Sequence, residues 1–146
     1  MSLSEELKNQ IKTDLMKHEG IRFEVYLDHL GFPTGGIGHL IVEDGYEVGD
    51  EIPSSLVDKW FETDFDTAVT DCCALFLNFT SHPDHVKRVL VNMAFNLGRN
   101  RLSKFKNMTT AVNEGNYPKA AIEMMDSKWY LQVGLRSKEL VEIMRG

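Results

Sequence analysis

Apolar residues recur at helical spacing from the start of the chain: Leu7, Ile11 and Leu15 fall four apart. That period puts them on one face of a helix. Ser2 and Glu5 have the spacing of a capping box, so the helix should open there, run to about residue 18 and end near Gly20. The period changes at residue 21. Phe23, Val25 and Leu27 alternate with Glu24, Tyr26 and Asp28, the two-residue repeat of a strand. Glycines at 31, 35, 36, 38, 45 and 49, with Pro33 among them, then predict short antiparallel strands joined by tight turns.

Helical spacing returns at Ser54 or Ser55. Leu56, Trp60, Phe65, Ala68, Val69, Cys72, Leu75, Phe76 and Phe79 predict one long helix over 55–79, about 38 Å from end to end. Thr80-Ser81-His82-Pro83 breaks it, and Pro83 suits the first turn of the next helix. That helix carries Val86, Val89, Leu90, Met93, Ala94 and Leu97 and stops at Gly98. Shorter helices are predicted over 102–105, 108–114, 118–126 and 137–145, punctuated by Gly115, Pro118 and Gly134. The chain holds no internal repeat and no low-complexity segment.

Composition narrows the class. A chain of 146 residues, 42% of them hydrophobic, can bury one ordinary core. No apolar run approaches the roughly 20 residues of a membrane span. The polar start of the chain lacks the pattern of a signal peptide, so folding in the cytoplasm is expected. Net charge is −6, split as −10 over residues 1–66 and +4 over residues 67–146. An acidic chain argues against nucleic acid as a partner but leaves room for a local basic patch. Arg99, Arg101, Lys104 and Lys106 are the candidates, as a ligand-facing rim or as a solvated loop. Adjacent Cys72 and Cys73 would point about 100° apart on a helix, so core packing is expected for at least one.

The chemistry concentrates between residues 19 and 40. Glu19 follows the first helix, Asp28 ends the first strand, and Thr34 opens T-G-G-I-G-H. Glycosidic cleavage needs one carboxyl group protonated, to donate to the leaving oxygen, and one ionised, to activate water or attack carbon. Spacing alone leaves Glu19 and Asp28 as two of 22 acids on solvated faces. His82 and His85 stand three apart, but nothing nearby completes a metal site, and a surface loop is the simpler reading. Asp64, Asp66 and Asp71 lack the ladder and central glycine of a calcium loop. Trp60, Trp129 and Tyr130 fall in helical or capping patterns and read first as core.

Four blocks change that weighing. Glu19, Gly20, Asp28, Thr34, Gly36, Gly38 and His39 stand without a gap in a pattern that resembles the signature of the phage-type lysozyme family. Arg22 and Tyr26 fit it as well. T-D-F-D-T-A-V at 63–69, N-M-A-F-N-L-G at 92–98 and S-K-W-Y-L-Q-V-G-L-R at 127–136 are similar to three further family segments, in the same order.

The resemblance implies a lysozyme-like α+β fold in two lobes. A small N-terminal lobe over about 1–54 would hold the sheet, a bridging helix would span about 55–79, and a helical lobe would span about 80–146. It implies an inverting muramidase acting on peptidoglycan glycan strands, with Glu19 as general acid, Asp28 as base or stabiliser and Thr34 holding the attacking water. Arg136 would orient Glu19, His39 and Asp64 would form a structural ion pair, and Leu40, Phe95, Met108 and Glu123 would meet substrate. No metal or organic cofactor is implied. The protein would act as a monomer without inserting into a membrane, and would reach the wall from the host cytoplasm through a holin or in a tail particle.

Several positions depart from the family pattern. Gly35 replaces a β-branched residue, which predicts a more mobile turn, and Leu30 stands where a polar cleft residue is common. Met108 and Glu123 replace small or amide side chains, and the segment after Ile41 is short. The pI of about 5.3 is acidic where the T-even relative is basic. Two rivals remain: a lytic transglycosylase, which needs one acid and no bound water, and a silent binding module of the same fold.

Overall fold

The first helix forms where the four-residue period places it. In a computed structural model describing residues 3–146, α1 spans Glu5–Glu19. Ser2 of the expected capping box lies outside the described residues. The Ser4 hydroxyl caps the helix instead, accepting the Leu7 N–H at 3.2 Å. Leu7, Ile11 and Leu15 are all but fully buried. Gly20 closes the helix in a left-handed conformation, its N–H donating to the Met16 carbonyl at 2.9 Å.

A three-stranded antiparallel sheet follows in the order β1-β2-β3: β1 (Arg22–Leu27), β2 (Pro33–Gly36) and β3 (His39–Leu40). Tyr26 pairs with Thr34, and Thr34 in turn with Leu40. Of the alternating apolar set in β1 only Val25 is buried; Phe23 and Leu27 are exposed. The register of β1 is irregular between Arg22 and Tyr26, which breaks the strict in–out alternation. The other edge of β1 is covered by the loop at 49–52, through Val25 N–H to Asp50 O and Ile52 N–H to Phe23 O.

The long helix α2 spans Ser54–Leu75, about 33 Å, and so ends four residues before the predicted 79. Phe76 and Phe79 are both buried, but the chain reaches the second through a left-handed Asn78 and a 3-10 turn at Phe79–Ser81. A three-residue apolar step fits such a turn as well as it fits a helix. The Leu77 N–H, released by the break, donates to the Asn113 side chain at 3.0 Å. Within α2, Cys72 is buried and Cys73 exposed, as helical spacing expects.

Helix α3 spans Asp84–Leu102 and is interrupted at Gly98, where the sequence places its end. Helices α4 (Lys106–Asn113), α5 (Tyr117–Met125), α6 (Lys128–Gln132) and α7 (Leu135–Arg145) complete the chain. The sequence reading missed α6. Its cap is Ser127, whose hydroxyl accepts the Tyr130 N–H at 3.1 Å and donates to the Met124 carbonyl at 2.7 Å.

These elements group into two units. One comprises residues 12–66 and holds the sheet around Val25, Ile37, Trp60 and Phe61. The other comprises residues 1–11 with 67–146, a helical core around Leu90, Met93, Leu102 and Leu140. Among the described residues no helix is long and apolar enough to cross a membrane. The structure is the α+β, lysozyme-like fold that the sequence resembles.

Gly98 has φ 79° and ψ 166°, a region nearly closed to residues with a side chain. No atom lies within 4 Å of where its Cβ would stand, so only backbone strain opposes a substitution. Gly98→Ala should lower stability by about 1–3 kcal/mol in urea unfolding. An unchanged midpoint and slope would show that the break is unstrained.

Candidate active site

Glu19 is the last residue of α1, half-buried, and its position is set by a glycine. Gly38 lies in the turn between β2 and β3 with φ 60°. A Cβ at Gly38 would stand 2.9 Å from the Glu19 Cδ and 3.1 Å from its Cβ and Cγ. The glutamate side chain therefore lies directly on the turn backbone, and only glycine leaves it room.

Asp28 follows β1 and organises the loop to β2. Its Oδ1 accepts the N–H groups of Leu30 and Phe32, both at 2.9 Å. Main-chain bonds from Asp28 N–H to Phe32 O and from Gly31 N–H to Asp28 O close the same loop. An aspartate bonding its own following amides is a local turn former, and Gly31 supplies the positive φ the turn needs. Thr34, on β2, is buried and donates its hydroxyl to the Phe32 carbonyl at 2.9 Å. Its donor is thus used, and its lone pairs remain as acceptors.

Tyr26 links these groups. Its pKa is raised, first by burial, while the Arg22 cation lowers it and the charges of Glu19 and Asp28 raise it. Arg22 lies 4.4 Å from the Tyr26 ring centroid. In sequence the only sign of Tyr26 was its fit to the first family block.

His39 and Asp64 meet, with Nδ1 to Oδ2 at 2.7 Å. The sequence reading missed a second carboxylate. Glu43 places both its oxygens 3.2 Å from His39 Nε2. The ring stacks on Trp60 with centroids 4.3 Å apart. Burial draws the imidazole pKa down, but bonds and charge from Asp64 and Glu43 outweigh it and hold it above the ordinary value. Burial likewise raises the Glu43 carboxyl, and its own N–H, His39 and the Val42 N–H outweigh that and hold it low. At Gly35 the room left by the absent side chain is filled. Gly35 is buried in β2, and a Cβ there would overlap the Ile52 side chain, so a neighbouring residue fills the space.

The remaining expected residues, Leu40 apart, lie in the helical unit. Arg136 is buried in α7 and donates from Nε at 3.0 Å and Nη2 at 2.8 Å to the Asn92 side chain. Phe95 is half-buried on α3, and Leu40, in the sheet unit, is half exposed. Met108 and Glu123 line one cavity of about 460 Å³ with Leu97, Phe105 and Trp129. Arg101, Lys104 and Lys106 of the basic run line it too, and Lys128 joins them. Arg99 does not: its Nε donates to Asp71 Oδ1 at 2.8 Å. His82 has both ring nitrogens engaged, by the Tyr117 hydroxyl at 2.7 Å and the Leu77 carbonyl at 3.0 Å.

A helix-end glutamate against a three-stranded sheet, with an aspartate just after its first strand and a threonine on its second, belongs to the lysozyme-like α+β class of fold. Comparison with known proteins narrows the class: residues 16–143 match the family described as phage lysozyme, and the chain belongs to that family. It is 30% identical to the probable T4-type lysozyme 2 of Dictyostelium discoideum, over 94% of this chain and 92% of that protein. It is 32% identical to the pre-baseplate central spike protein Gp5 of Enterobacteria phage T4, over 88% of this chain but 26% of that one. To the peptidoglycan hydrolase gp36 of Pseudomonas phage phiKMV it is 27% identical, over 91% of this chain and 15% of that protein. The protein is a peptidoglycan-degrading lysozyme.

The His39 cluster carries a pH signature. Its raised imidazole contributes stability fully below the ordinary value of 6.5, and loses it as pH rises through the folded-state value. The lowered Glu43 contributes fully above 4.5 and loses it as pH falls through its folded-state value. The contribution is therefore complete between these ordinary values. Asp64→Asn and Glu43→Gln should lower Tm most near pH 5–6, with the gap to wild type narrowing toward pH 9. A gap independent of pH would contradict the charged imidazole.

Proposed function

We propose that this chain hydrolyses the β-1,4 bond between N-acetylmuramic acid and N-acetylglucosamine with inversion of configuration. Glu19 donates a proton to the leaving oxygen, Asp28 acts as base or electrostatic stabiliser, and Thr34 positions the attacking water. The observation that carries this reading is the close approach of Glu19 to the Gly38 turn, which brings the acid to the end of the same small sheet whose first strand runs into Asp28. Thr34 supports it through its pairing with Tyr26 across the sheet and its free acceptor lone pairs. A water donating to Thr34 presents its own lone pair for attack on carbon. Asp28 is held at Oδ1 by two amides, which fixes its carboxylate without occupying Oδ2.

Arg136 supports catalysis in this proposal by orienting the acid, and its fork to Asn92 restrains the guanidinium. Leu40 and Phe95 line the glycan path. The cavity bearing Met108 and Glu123 receives the peptide stem, whose carboxylates meet Arg101, Lys104, Lys106 and Lys128. The enzyme acts as a monomer and reaches the wall by holin-dependent release or from a tail particle.

Glu19→Gln should abolish lysis of outer-membrane-permeabilised cells while far-UV circular dichroism and Tm stay near wild type. Full lysis by the variant would remove Glu19 from the mechanism. Mass spectrometry of wild-type products should show reducing ends, with the α-anomer formed first by NMR. Anhydro ends would mean transglycosylation, and no product would mean a silent binding module.

A further inference from the structure

Asp71 is an acid on the packed side of α2, beside fully buried Cys72, with its own side chain only 10% exposed. A carboxylate so far from water needs a partner, and apolar packing there would serve stability as well or better. Its partner is Arg99, the residue immediately after the break at Gly98. Both belong to the helical unit.

The segment that Arg99 opens has few other anchors. Gly98 has no packing neighbour at its Cβ position, and Arg101, Lys104 and Lys106 are exposed. Leu102, fully buried, and Phe105, edge-on to the Trp129 ring, fix two later points and leave the start of the segment to Arg99. The Arg99 carbonyl accepts the Ser103 N–H at 2.9 Å, so the position of Arg99 sets the turn that follows. That turn supplies Arg101, Lys104, Phe105 and Lys106 to one wall of the cavity.

We propose that Asp71 and Arg99 are positioning residues for substrate binding: their ion pair pins the chain beyond Gly98 and so holds the basic wall of the peptide-stem cavity in place. The inference rests on the reading of that cavity as the stem site. Neither residue touches the reacting atoms, so their loss weakens capture of stem-bearing glycan and leaves bond cleavage unchanged.

The test uses the full chain and two soluble substrates: glycan strands with peptide stems, and the same strands stripped by an amidase. Wild type should show a lower KM on the stem-bearing strands. Asp71→Asn, which removes the charge and keeps the shape, and the double variant Asp71→Asn/Arg99→Gln, which leaves no unpaired carboxylate behind, should each raise KM on stem-bearing strands by roughly ten-fold. Their kcat should stay within about two-fold of wild type, and both constants on stripped strands should be unchanged. Arg99→Lys should recover part of the loss. If both variants match wild type on both substrates, the inference is overturned. It is overturned equally if both substrates suffer alike, because that is general loosening of the fold. If wild type itself does not distinguish the substrates, the stem reading of the cavity fails and takes the inference with it.

Discussion

Glu19 lies directly against the backbone of a turn. With the Gly38 Cβ position only 2.9 Å from its Cδ, the acid can occupy its place only if the β2–β3 turn presents bare main chain. That close approach joins the end of α1 to the sheet. It also ties the acid to β2, whose Thr34 pairs with both Tyr26 and Leu40. Asp28 closes the hairpin at the other end of the same strand through two amide bonds to one oxygen. A small sheet is a weak scaffold in itself, since few strands bury little area. Here each functional group is held by main-chain geometry, which tolerates little drift.

The sheet unit carries most of the acid in the chain, and it uses some of that acid structurally. His39 is bracketed by Asp64 and Glu43 and stacked on Trp60, so two carboxylates favour the charged form of a buried imidazole. The helical unit shows the reverse arrangement, a nearly buried acid, Asp71, paired with an arginine from a basic run. In each unit the charge in excess is opposed at one packed site by its opposite, placed next to a glycine turn or break. Gly38 precedes His39, and Gly98 precedes Arg99. A glycine re-aims the chain, and the ion pair then fixes where the re-aimed chain goes.

Periodicity was enough for the helices with long apolar stripes. It located α1, the start of α2 and the Gly98 break in α3, because those stripes repeat over several turns. It overran α2 because the Phe76–Phe79 step fits both a helix and a 3-10 turn. It missed α6, a five-residue helix with one buried side chain, Trp129, and hence no period to read. Gly35 read as slack, whereas the branched side chain of Ile52, seventeen residues away, fills the space. The site was less legible. Spacing alone left Glu19 and Asp28 indistinguishable from solvated acids, and the family resemblance singled them out. The charge run at 99–106 could not show that Arg99 is bonded to an acid 28 positions earlier. Glu43 gave no signal, because its role depends on the loop that folds it back onto His39.

The seating of Glu19 on the turn is the claim on which the rest depends, and Gly38→Ala tests it most directly. One methyl group would displace the carboxyl while leaving its chemistry unchanged, and the backbone strain it adds at φ 60° is read separately as a lower Tm. Initial rates on soluble peptidoglycan strands should show kcat reduced by about 100-fold, the cost of a misplacement near 1 Å, with KM close to wild type. A variant that keeps wild-type kcat would show that the acid does not need the glycine backbone beneath it, and would contradict the account.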